Sequence, residues 1–286
     1  MQQRKSNCDL CGSAENKKLY RFNDFIIQQC AECGLVSRNI FLSEEETANL
    51  YNEGYFTIEQ QDYFFNHSKL KEAIFSKYLQ ELEKIVQTKG TLLDVGCAIG
   101  TFLSLARSSG WTVKGVEVSE FASGYARKQY ELDVFTGELE KCPFELNSFD
   151  VITLWDVIDH VEKPQSFLER AYSLLKPGGI IVVATTMEDS LLYRIAHYLY
   201  KFSGGIIKHP ASRCHPLHHS TYYSRKTMRK SLLKVGLEII KEQPGDLNSE
   251  LINTNYFTRL VLKCLSFAAF ILDRPMETIF YARKVK

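Results

Sequence analysis

The chain alternates short, uniformly apolar runs with longer segments whose apolar residues recur every three or four positions. This alternation extends over residues 92–185. A short apolar run is typical of a buried strand, and the longer spacing is typical of a helix that packs on a sheet. Because the two kinds of segment alternate, they predict a parallel sheet with crossover helices. The predicted strands are 92–95, 111–118, 133–135, 149–155 and 180–185, and the predicted helices begin near Gly100, Ser119 and Pro164.

A glycine turn follows the first of these strands. Gly96 and Gly100 bracket the turn, Asp94 precedes it, and Glu117 lies near the end of the next apolar run. Glycine tolerates a positive φ, and the helix that follows offers unpaired N–H groups, so the turn predicts a binding loop. A dinucleotide fingerprint is excluded because two of its three glycines are missing. An acid about 20 residues beyond the turn suits ribose hydroxyls. We therefore expect a nucleoside ligand without a pyrophosphate.

Three blocks then follow one another in the order LLDVGCAIGTFL, VKGVEVSE and FDVITLWDVIDHVEKPQSFLERAYSLLKPGGIIVVAT. Together they resemble a class I S-adenosylmethionine-dependent methyltransferase, over residues 92–185. The resemblance implies an α/β fold with a seven-stranded, mostly parallel Rossmann-like sheet and helices on both faces. It also implies S-adenosyl-L-methionine as the cofactor.

The resemblance implies roles for individual residues. The glycine turn would hold the methionine part of the cofactor, Glu117 the ribose, and the segment after the third strand the adenine. Trp155 and Asp156 would border the sulfonium and the substrate. The alternative for Asp94 and Glu117 is a surface or capping role. The implied cofactor-binding residues between residues 92 and 185 are Asp94, Gly96, Cys97, Ala98, Gly100, Glu117, Val118, Glu138, Leu139 and Trp155.

The charge balance argues against a polyanionic partner. The 286 residues include 35 Lys plus Arg and 34 Asp plus Glu, which leaves a formal net charge of +1. No global field would attract nucleic acid or an anionic membrane. A hydrophobic content of 45% suffices for one large or two modest domains. The first residues, MQQRKSNCDL, carry no apolar signal region, and the scattered cysteines suit a reducing compartment, so we expect a cytoplasmic protein.

Four cysteines form a C-x2-C-x18-C-x2-C pattern, namely Cys8, Cys11, Cys30 and Cys33. This spacing predicts a zinc ribbon, and four thiolates complete a tetrahedral shell, so the zinc would be structural. A segment this short cannot build a sufficient core, and the metal would supply its folding free energy. The alternatives are a thioredoxin-like redox pair and a nucleic-acid-binding knuckle. We expect the ribbon to dock on the catalytic domain or to shape the substrate mouth.

An aromatic segment links the ribbon to the main domain. Methyltransferases with a zinc ribbon carry a Tyr-x-x-x-Tyr-Phe stretch, which Tyr51, Tyr55 and Phe56 resemble, as a lid over the cofactor. The resemblance therefore adds Tyr51 and Tyr55 to the cofactor-binding residues, and aromatic faces also attract a sulfonium cation. The alternative is that these rings only hold the two domains together. Ser68 then begins a predicted helix that ends before Gly90.

Several histidines lie where a methyl acceptor could bind. Displacement at a sulfonium needs alignment and sometimes a base, and a histidine is suited to general-base work. We therefore predict catalytic roles among His160, His218, His219 and Asp156. A second metal site in the loop that holds His209, His215, His218, His219 and Cys214 is an alternative, although the spacing matches no known site. A loop or capping role is the other alternative for each histidine.

The last hundred residues predict a cap and two closing strands. Residues 191–199 have helical spacing, Ser224 caps a helix that ends at Gly236, and residues 237–240 and 277–284 are predicted as an antiparallel hairpin at the sheet edge. Residues 251–272 are largely apolar but interrupted by Arg259 and Lys263. They fall short of a membrane span and predict a substrate-capping or dimer helix, with a membrane contact as the alternative.

These predictions divide the chain into a zinc ribbon over residues 1–42, an aromatic linker or lid over 43–67, and a methyltransferase domain over 68–286. Substrate-capping insertions are expected near 187–223 and 246–276. The first hypothesis is a cytoplasmic methyltransferase, monomeric or homodimeric, that acts on a sugar, a nucleotide-sugar or a natural-product or glycan precursor, without nucleic acid. The rivals are a methyltransferase that modifies RNA or protein through its ribbon and a lipid methyltransferase at a membrane surface.

Overall fold

The protein is described by a computed structural model for residues 2–3, 7–66, 68–245 and 256–285. Its strands are β1 (Gln2–Gln3), β2 (Asn16–Arg21), β3 (Ile26–Cys30), β4 (Val36–Arg38), β5 (Ile40–Phe41), β6 (Thr91–Val95), β7 (Thr112–Glu117), β8 (Val134–Thr136), β9 (Phe149–Trp155), β10 (Leu175–Thr186), β11 (Thr221–Tyr222), β12 (Leu237–Pro244) and β13 (Glu277–Lys284). Its α-helices are α1 (Glu44–Leu50), α2 (Ser68–Ile85), α3 (Thr101–Ser108), α4 (Glu120–Tyr130), α5 (Pro164–Leu174), α6 (Leu191–Phe202), α7 (His209–Cys214), α8 (Arg225–Lys234) and α9 (Tyr256–Ile271).

Seven strands form the central sheet in the order β12-β13-β10-β9-β6-β7-β8. The five strands from β6 to β10 are parallel, and β13 is antiparallel to both of its neighbours. The predicted seven-stranded, mostly parallel sheet is therefore confirmed. Because β6 lies in the middle with later strands on both sides, the strand order reverses at its carboxyl end. Open α/β sheets bind ligands at such a switch point.

The sheet is covered on both faces because its strands are apolar on both faces. Successive residues of β10 belong alternately to two apolar cores: Ile180 and Val182 to one, Ile181 and Val183 to the other. Helices α2, α3 and α4 contribute to the first core, and α5 and α8 to the second. This double burial is why the strands have uniformly apolar sequences.

Two features of these elements differ from the sequence prediction. Strand β10 begins five residues early, at Leu175, and residues 176–179 bulge out between the pairs Leu175–Phe149 and Ile180–Val151. Strands β12 and β13 pair antiparallel as predicted, but β13 is internal and only β12 forms the sheet edge. The Gly-Gly turn is thus part of an irregular strand, because its flanking residues still find partners on β9.

The ribbon is built around a second, antiparallel sheet in the order β11-β4-β3-β2. Its fourth strand, β11, comes from the distant loop of residues 215–223. Leu10 and Leu35 of the ribbon belong to the same apolar core as the central strands. Asp9 accepts a hydrogen bond of 2.7 Å from the backbone N–H of Gln165, in the first turn of α5. The ribbon therefore docks on the methyltransferase domain, as the sequence predicts.

The segment after β10 forms a cap. Helix α6 is present as predicted, and α8 begins after Ser224, whose side chain accepts a hydrogen bond from the backbone N–H of Thr227. Helix α7 lies where the sequence predicts a loop, because Pro210 in its first turn is compatible with a helix start. The predicted apolar helix is described from Tyr256, and residues 251–255 lie outside the described residues. Among the described helices, none is long and apolar enough to cross a membrane.

Candidate active site

The turn after β6 is shaped by left-handed backbone conformations. Gly96, Ala98 and Gly100 have φ angles of 70°, 48° and 85°. A Cβ on Gly96 would lie 2.5 Å from a methyl carbon of Val157, and one on Gly100 would lie 2.9 Å from the Cβ of Ala126. Glycine is therefore required here both by the positive φ and by close packing. The turn brings the N-terminus of α3 to the carboxyl end of β6.

The two predicted acids lie on adjoining strand ends. Asp94 is buried and accepts a hydrogen bond of 2.6 Å from the hydroxyl of Thr153. Glu117 accepts hydrogen bonds from the backbone N–H groups of Ala98 at 2.8 Å and Ser119 at 2.9 Å. Burial raises the pKa of Asp94 to about 8, and burial also raises the pKa of Glu117. Both acids are thus held in a protein environment that favours a cationic or hydrogen-bond-donating ligand.

One continuous cavity of about 1310 Å³ opens at this rim of the sheet. Asp94 and Glu117 line this cavity, and so do His160, His218 and His219. The lid residues Tyr51 and Tyr55 also face it. Ligand pockets are usually smaller, roughly 300–1,000 Å³, so the cavity has room for a nucleoside cofactor and a second molecule.

A lysine that the sequence analysis missed faces the same cavity. Lys71 of α2 is buried, its ammonium lies 4.4 Å from the centre of the Phe64 ring, and it interacts electrostatically with Asp156 and Asp94. Burial lowers its pKa to about 7. The apolar spacing of α2 includes Tyr78 and Leu82, and the structure buries both of them together with Lys71. Lys71 lies seven residues before Tyr78, on the same face of the helix.

The predicted adenine-binding segment lies beside Glu117. Leu139 is buried, Val118 is 42% exposed, and both face the cavity. Glu138 also lines the cavity, where its carboxylate pairs at 2.9 Å with Lys141. Two apolar side chains next to Glu117 provide a surface on which a flat purine can pack.

Trp155, the last residue of β9, and Asp156 also line the cavity. The Trp155 ring stacks on Tyr78 with a centroid distance of 5.4 Å and meets Phe102 edge-on at 5.0 Å. Asp156 has a φ of 54°, a left-handed conformation that turns the chain just after β9. Its side chain faces the cavity and has protein on the other sides. Desolvation by this protein, together with the charge of Asp159, raises the pKa of Asp156 to about 7. This carboxyl can therefore exchange a proton near neutral pH.

The three predicted catalytic histidines are brought together. The His160 ring lies parallel to His218, 5.4 Å between centroids, and edge-on to His219 at 4.5 Å. The Tyr51 hydroxyl lies 2.6 Å from His160 Nδ1, and His219 Nδ1 lies 3.3 Å from the Asp159 carboxylate. Burial, with the neighbouring imidazole of His160, lowers the pKa of His218 to about 4 and holds the pKa of His219 well below its usual value. One nitrogen from each ring lies within 4.8 Å of the others.

The other residues of the predicted second metal set lie elsewhere. His215 is buried among Tyr20, Tyr193 and Tyr222, and its Nδ1 lies 2.9 Å from the carbonyl of Ala211. Its role is therefore to pack the ribbon sheet against the cap. His209 is exposed at the start of α7, and Cys214 is buried in the same apolar cluster as Tyr20. Only His218 and His219 of that set reach the cavity.

The ribbon sheet supports the loop that carries His218 and His219. Arg38, at the end of β4, is fully buried, forms an ion pair with Glu162 and donates a hydrogen bond of 2.9 Å to the carbonyl of Leu217. Glu162 also accepts a hydrogen bond of 2.9 Å from the backbone N–H of Leu42. Leu217 directly precedes His218, so Arg38 fixes the loop that carries two of the three histidines.

A profile of the methyltransferase domain family matches residues 66–242, which is more than half of the chain. The chain belongs to the S-adenosylmethionine-dependent methyltransferase family. Among curated relatives, the demethylmenaquinone methyltransferase of Oceanobacillus iheyensis is 33% identical over 40% of this chain and 52% of its own. The ubiquinone biosynthesis O-methyltransferase of Coxiella burnetii is 29% identical over 44% of this chain and 57% of its own. This methyltransferase thus spans about half the length of the curated relatives it matches.

Solved structures show the same fold. A SAM-dependent methyltransferase from Archaeoglobus fulgidus aligns with a TM-score of 0.56 and 19% identity, over 80% of this methyltransferase and 99% of the other chain. The expected class I methyltransferase fold is therefore confirmed. The roles of the individual cavity residues stay predictions that rest on their positions.

The four ribbon cysteines of the methyltransferase form a compact cluster. Cys8 Sγ lies 3.5 Å from Cys33 Sγ, and Cys11 Sγ lies 3.5 Å from Cys30 Sγ. These distances exceed a disulfide bond of about 2 Å and are close to the sulfur–sulfur separation around a tetrahedral ion with bonds of about 2.3 Å. The knuckle glycines that follow Cys11 and Cys33 both have a positive φ. The donor set therefore fits a structural zinc ion.

Proposed function

We propose that this methyltransferase moves a methyl group from S-adenosylmethionine to a small, polar acceptor, such as a sugar, a nucleotide-sugar or a natural-product or glycan precursor. The proposal depends on one cavity that is lined both by two buried acids and by three histidines. A cofactor bound by the acids would place its methyl group near the middle of this cavity, where an acceptor can reach it.

The methionine part of the cofactor carries both a positive and a negative charge. Asp94 is placed to accept hydrogen bonds from the ammonium, and Lys71 is placed to pair with the carboxylate. Lys71 is close enough to Asp94 to interact with it electrostatically, so one molecule can contact both. Binding of a zwitterion would favour the charged forms of both side chains, each of which is desolvated without a ligand.

The nucleoside part would lie over the neighbouring strand. Both oxygens of Glu117 already accept backbone N–H groups, which fix the carboxylate and leave lone pairs for the ribose hydroxyls. Val118 and Leu139 would contact the adenine. The sulfonium would then lie near Trp155 and the lid tyrosines, whose electron-rich rings attract a cation.

The reaction is a direct displacement. The bond between sulfur and the methyl carbon breaks, a bond from the acceptor to that carbon forms, and the sulfur keeps the electron pair as a thioether. The acceptor proton must leave. The titratable groups placed to take it are Asp156 and the three histidines that line the cavity. His218 and His219 are neutral at pH 7 because burial lowers the pKa of both, so each ring has an unprotonated nitrogen.

The acceptor end of the cavity is rich in polar side chains, which supports a hydroxyl-bearing acceptor. Such a molecule can satisfy these groups with hydrogen bonds, whereas an apolar one would leave them unpaired. A quinone-like lipid is the second candidate, favoured by the names of the curated relatives. Besides the histidines, the polar residues that line the cavity include Asp156, Asp159, Glu162, Lys163, Thr186, Arg213 and Glu277.

Cofactor binding can be tested by calorimetry with S-adenosylmethionine and S-adenosylhomocysteine. We expect Asp94→Ala and Glu117→Ala each to weaken binding by about 100-fold, because each removes a buried charged hydrogen-bond acceptor. Glu145→Ala, a matched substitution of an exposed acid outside the cavity, should leave the affinity unchanged. Equal affinities for all four proteins would contradict the site.

The acceptor class can be tested with methyl-labelled S-adenosylmethionine and a small-molecule cell extract. A polar acceptor predicts labelled product in the aqueous phase, and a quinone-like acceptor predicts label in the organic phase. His219→Ala should reduce the label in either phase by about 100-fold if this residue takes the proton. A His219→Ala protein that labels product at the wild-type rate would remove His219 from the reaction.

The ribbon zinc belongs to the same proposal. Cys8, Cys11, Cys30 and Cys33 would hold one zinc ion with no open coordination position, so it would stabilise the ribbon and take no part in methyl transfer. Its effect on the reaction would be indirect, through Arg38 and the loop that carries His218 and His219.

A further inference from the structure

Two neighbouring helices leave apolar faces in solvent. Helices α6 and α9 pack against each other, and a tight turn at Gly204 and Gly205 follows α6. We call residues 191–208 and 260–272 the α6–α9 surface. Its exposed apolar side chains are Ile195, Tyr198, Leu199, Phe202, Ile206, Ile207, Leu260, Val261, Phe267, Phe270, Ile271 and Leu272.

The exposure of this surface is large for side chains of this size. Ile206 is 84% exposed, Phe202 82%, Phe270 72% and Phe267 67%. Single exposed apolar residues are ordinary, but a contiguous group marks a surface that binds a partner or a membrane. Aromatic and aliphatic residues together at the tips of two adjacent helices are typical of such a surface.

The charges of the surface have one sign. Residues 191–208 contain Arg194, Lys201 and Lys208, and residues 260–272 contain Lys263; neither segment contains Asp or Glu. On α6, a rotation of 100° per residue places Ile195, Tyr198 and Phe202 on one face. Arg194 and Lys201 lie along one edge of that face. Since the whole chain has a net charge of only +1, the positive charge is a local property of this surface.

We propose that the α6–α9 surface binds to a lipid bilayer that contains anionic headgroups. Apolar and aromatic side chains flanked by lysine and arginine are the composition of helices that lie in the membrane interface, with the rings among the acyl chains and the cations at the phosphates. The described helices include none that could cross the bilayer, so the contact is peripheral. It adds to the methyltransferase activity and does not depend on it.

The charge distribution argues against a second copy of this chain as the partner. The two segments of the surface contain basic residues and no Asp or Glu, so a two-fold dimer across it would bring two positively charged surfaces together with no acid to pair with them. Like charges at an interface oppose association, whereas an anionic lipid surface attracts each of them. The charge pattern thus selects the bilayer over self-association.

The surface lies close along the chain to the cavity. Helix α6 begins soon after Thr186 at the end of β10, and α7 carries Arg213; both of these residues line the cavity. A protein bound through the α6–α9 surface would therefore hold its acceptor end near the headgroups. An acceptor that is attached to a membrane anchor could reach the cavity from there.

Flotation with lipid vesicles tests the proposal on the full-length, zinc-loaded protein without cofactor. We expect the protein to float with vesicles of 70% phosphatidylcholine and 30% phosphatidylglycerol, and to float less as the salt concentration rises. Phe202→Ser/Ile206→Ser and Lys201→Glu/Lys208→Glu should each reduce the bound fraction roughly tenfold or more, since one removes insertion and the other the attraction.

Matched control variants distinguish binding through the α6–α9 surface from non-specific binding to the vesicles. Leu233→Ser, at an exposed leucine on α8, and Lys226→Glu/Lys230→Glu, on the basic row of α8, should float like the wild type. All variants should retain the wild-type affinity for S-adenosylmethionine, so a failure of this proposal is distinguishable from a failure of the cofactor site. Absence of wild-type flotation would overturn the proposal. So would a dimer in sedimentation that dissociates in Phe202→Ser/Ile206→Ser, because the surface would then be a subunit interface.

Discussion

Asp94 lies in surroundings that oppose its ionisation until a cation arrives. Its carboxyl is buried, and burial is the main cause that raises its pKa from 3.8 to about 8, with a further contribution from Glu117. The hydroxyl of Thr153 and the ammonium of Lys71 act in the opposite direction. A cofactor ammonium would add a second positive charge beside Asp94 and lower its pKa. The residue therefore exchanges some stability of the free protein for affinity.

This exchange predicts an effect of Asp94→Asn on stability. A carboxyl whose pKa is raised by folding holds its proton in the folded state, so its contribution to stability is lost as the pH rises from about 4 to about 8. An amide does not titrate. In the free protein we expect the stability of Asp94→Asn, relative to wild type, to increase between pH 5 and pH 8.5. The increase in unfolding free energy should be on the order of a few kcal/mol, and the melting temperature of the variant should rise relative to that of the wild type.

The measurement is thermal unfolding at several pH values with and without S-adenosylmethionine. Saturating cofactor should stabilise the wild type more than it stabilises Asp94→Asn, because the variant binds the cofactor more weakly. Glu145→Gln, an exposed acid, serves as the control and should show no pH-dependent difference from wild type. A constant difference between Asp94→Asn and wild type across the pH range would refute the raised pKa.

The sequence was sufficient to select candidate site residues where their positions relative to the predicted strands placed them at the cavity. Asp94 and Glu117 follow from strand ends and spacing. Lys71 does not, because a lysine within an apolar helical pattern is normally interpreted as exposed, and only the position of the cavity above α2 explains its burial. His215 shows the opposite failure: its residue type suggested chemistry, but three surrounding tyrosines make it part of a packed cluster.

At the scale of elements, we expect the aromatic linker to act as a lid over the glycine turn. Phe56, in a π-helical turn over Tyr55–Glu59, is buried with Phe64 against Ile99 and Ala122. Ile99 belongs to the glycine turn and Ala122 to α4, so the lid packs on the residues that would surround the cofactor. Its apolar contacts are few and are separate from the cores of the sheet. The lid should therefore open and close as a local unit.

Phe56→Ala tests this behaviour. Loss of the ring should favour the open lid, and the apparent affinity for S-adenosylmethionine falls in proportion to the closed fraction. We expect binding about tenfold or more weaker in calorimetry, with a melting temperature close to wild type because the sheet is untouched. Thr57→Ala, next to it but only partly buried, is the control and should bind normally. A large loss of thermal stability in Phe56→Ala, at unchanged affinity, would make the ring part of the global core.

The elements that the sequence predicted are those with a strong local pattern. The strands β6, β7 and β9 have uniform apolar runs, and their bounds agree with the prediction within one residue. The pairing of β11 with β4 could not be predicted, because it joins residues 221–222 to a ribbon strand that precedes them by more than 180 positions. Such long-range pairing depends on how the cap and the ribbon meet on the folded domain, and no local pattern encodes it.

At the scale of the molecule, the ribbon and the cap complete each other. The ribbon sheet needs β11 from the cap loop, and that loop needs Arg38 from the ribbon to fix the segment before His218. Lys234 of α8 also donates a hydrogen bond of 2.7 Å to the carbonyl of Leu10. The ribbon is therefore continuous with the catalytic domain. Loss of the proposed zinc ion should therefore also disturb the residues that line the cavity.

Removal of the proposed zinc ion tests this continuity. Without zinc, the four thiolates lose the bonds that fold the knuckles, and Leu10 and Leu35 would lose their support in the main core. We expect the wild type to contain one zinc per chain by mass spectrometry, and Cys11→Ser to lose it and to melt lower by roughly 5–10 °C. Cys264→Ser, at an exposed cysteine outside the ribbon, should keep both values. Arg38 connects the ribbon to the loop that carries His218 and His219. We therefore expect Cys11→Ser to reduce the rate of methyl transfer by a larger factor than the affinity for the cofactor. A zinc-free Cys11→Ser protein with wild-type stability and activity would show instead that the ribbon is a separate unit.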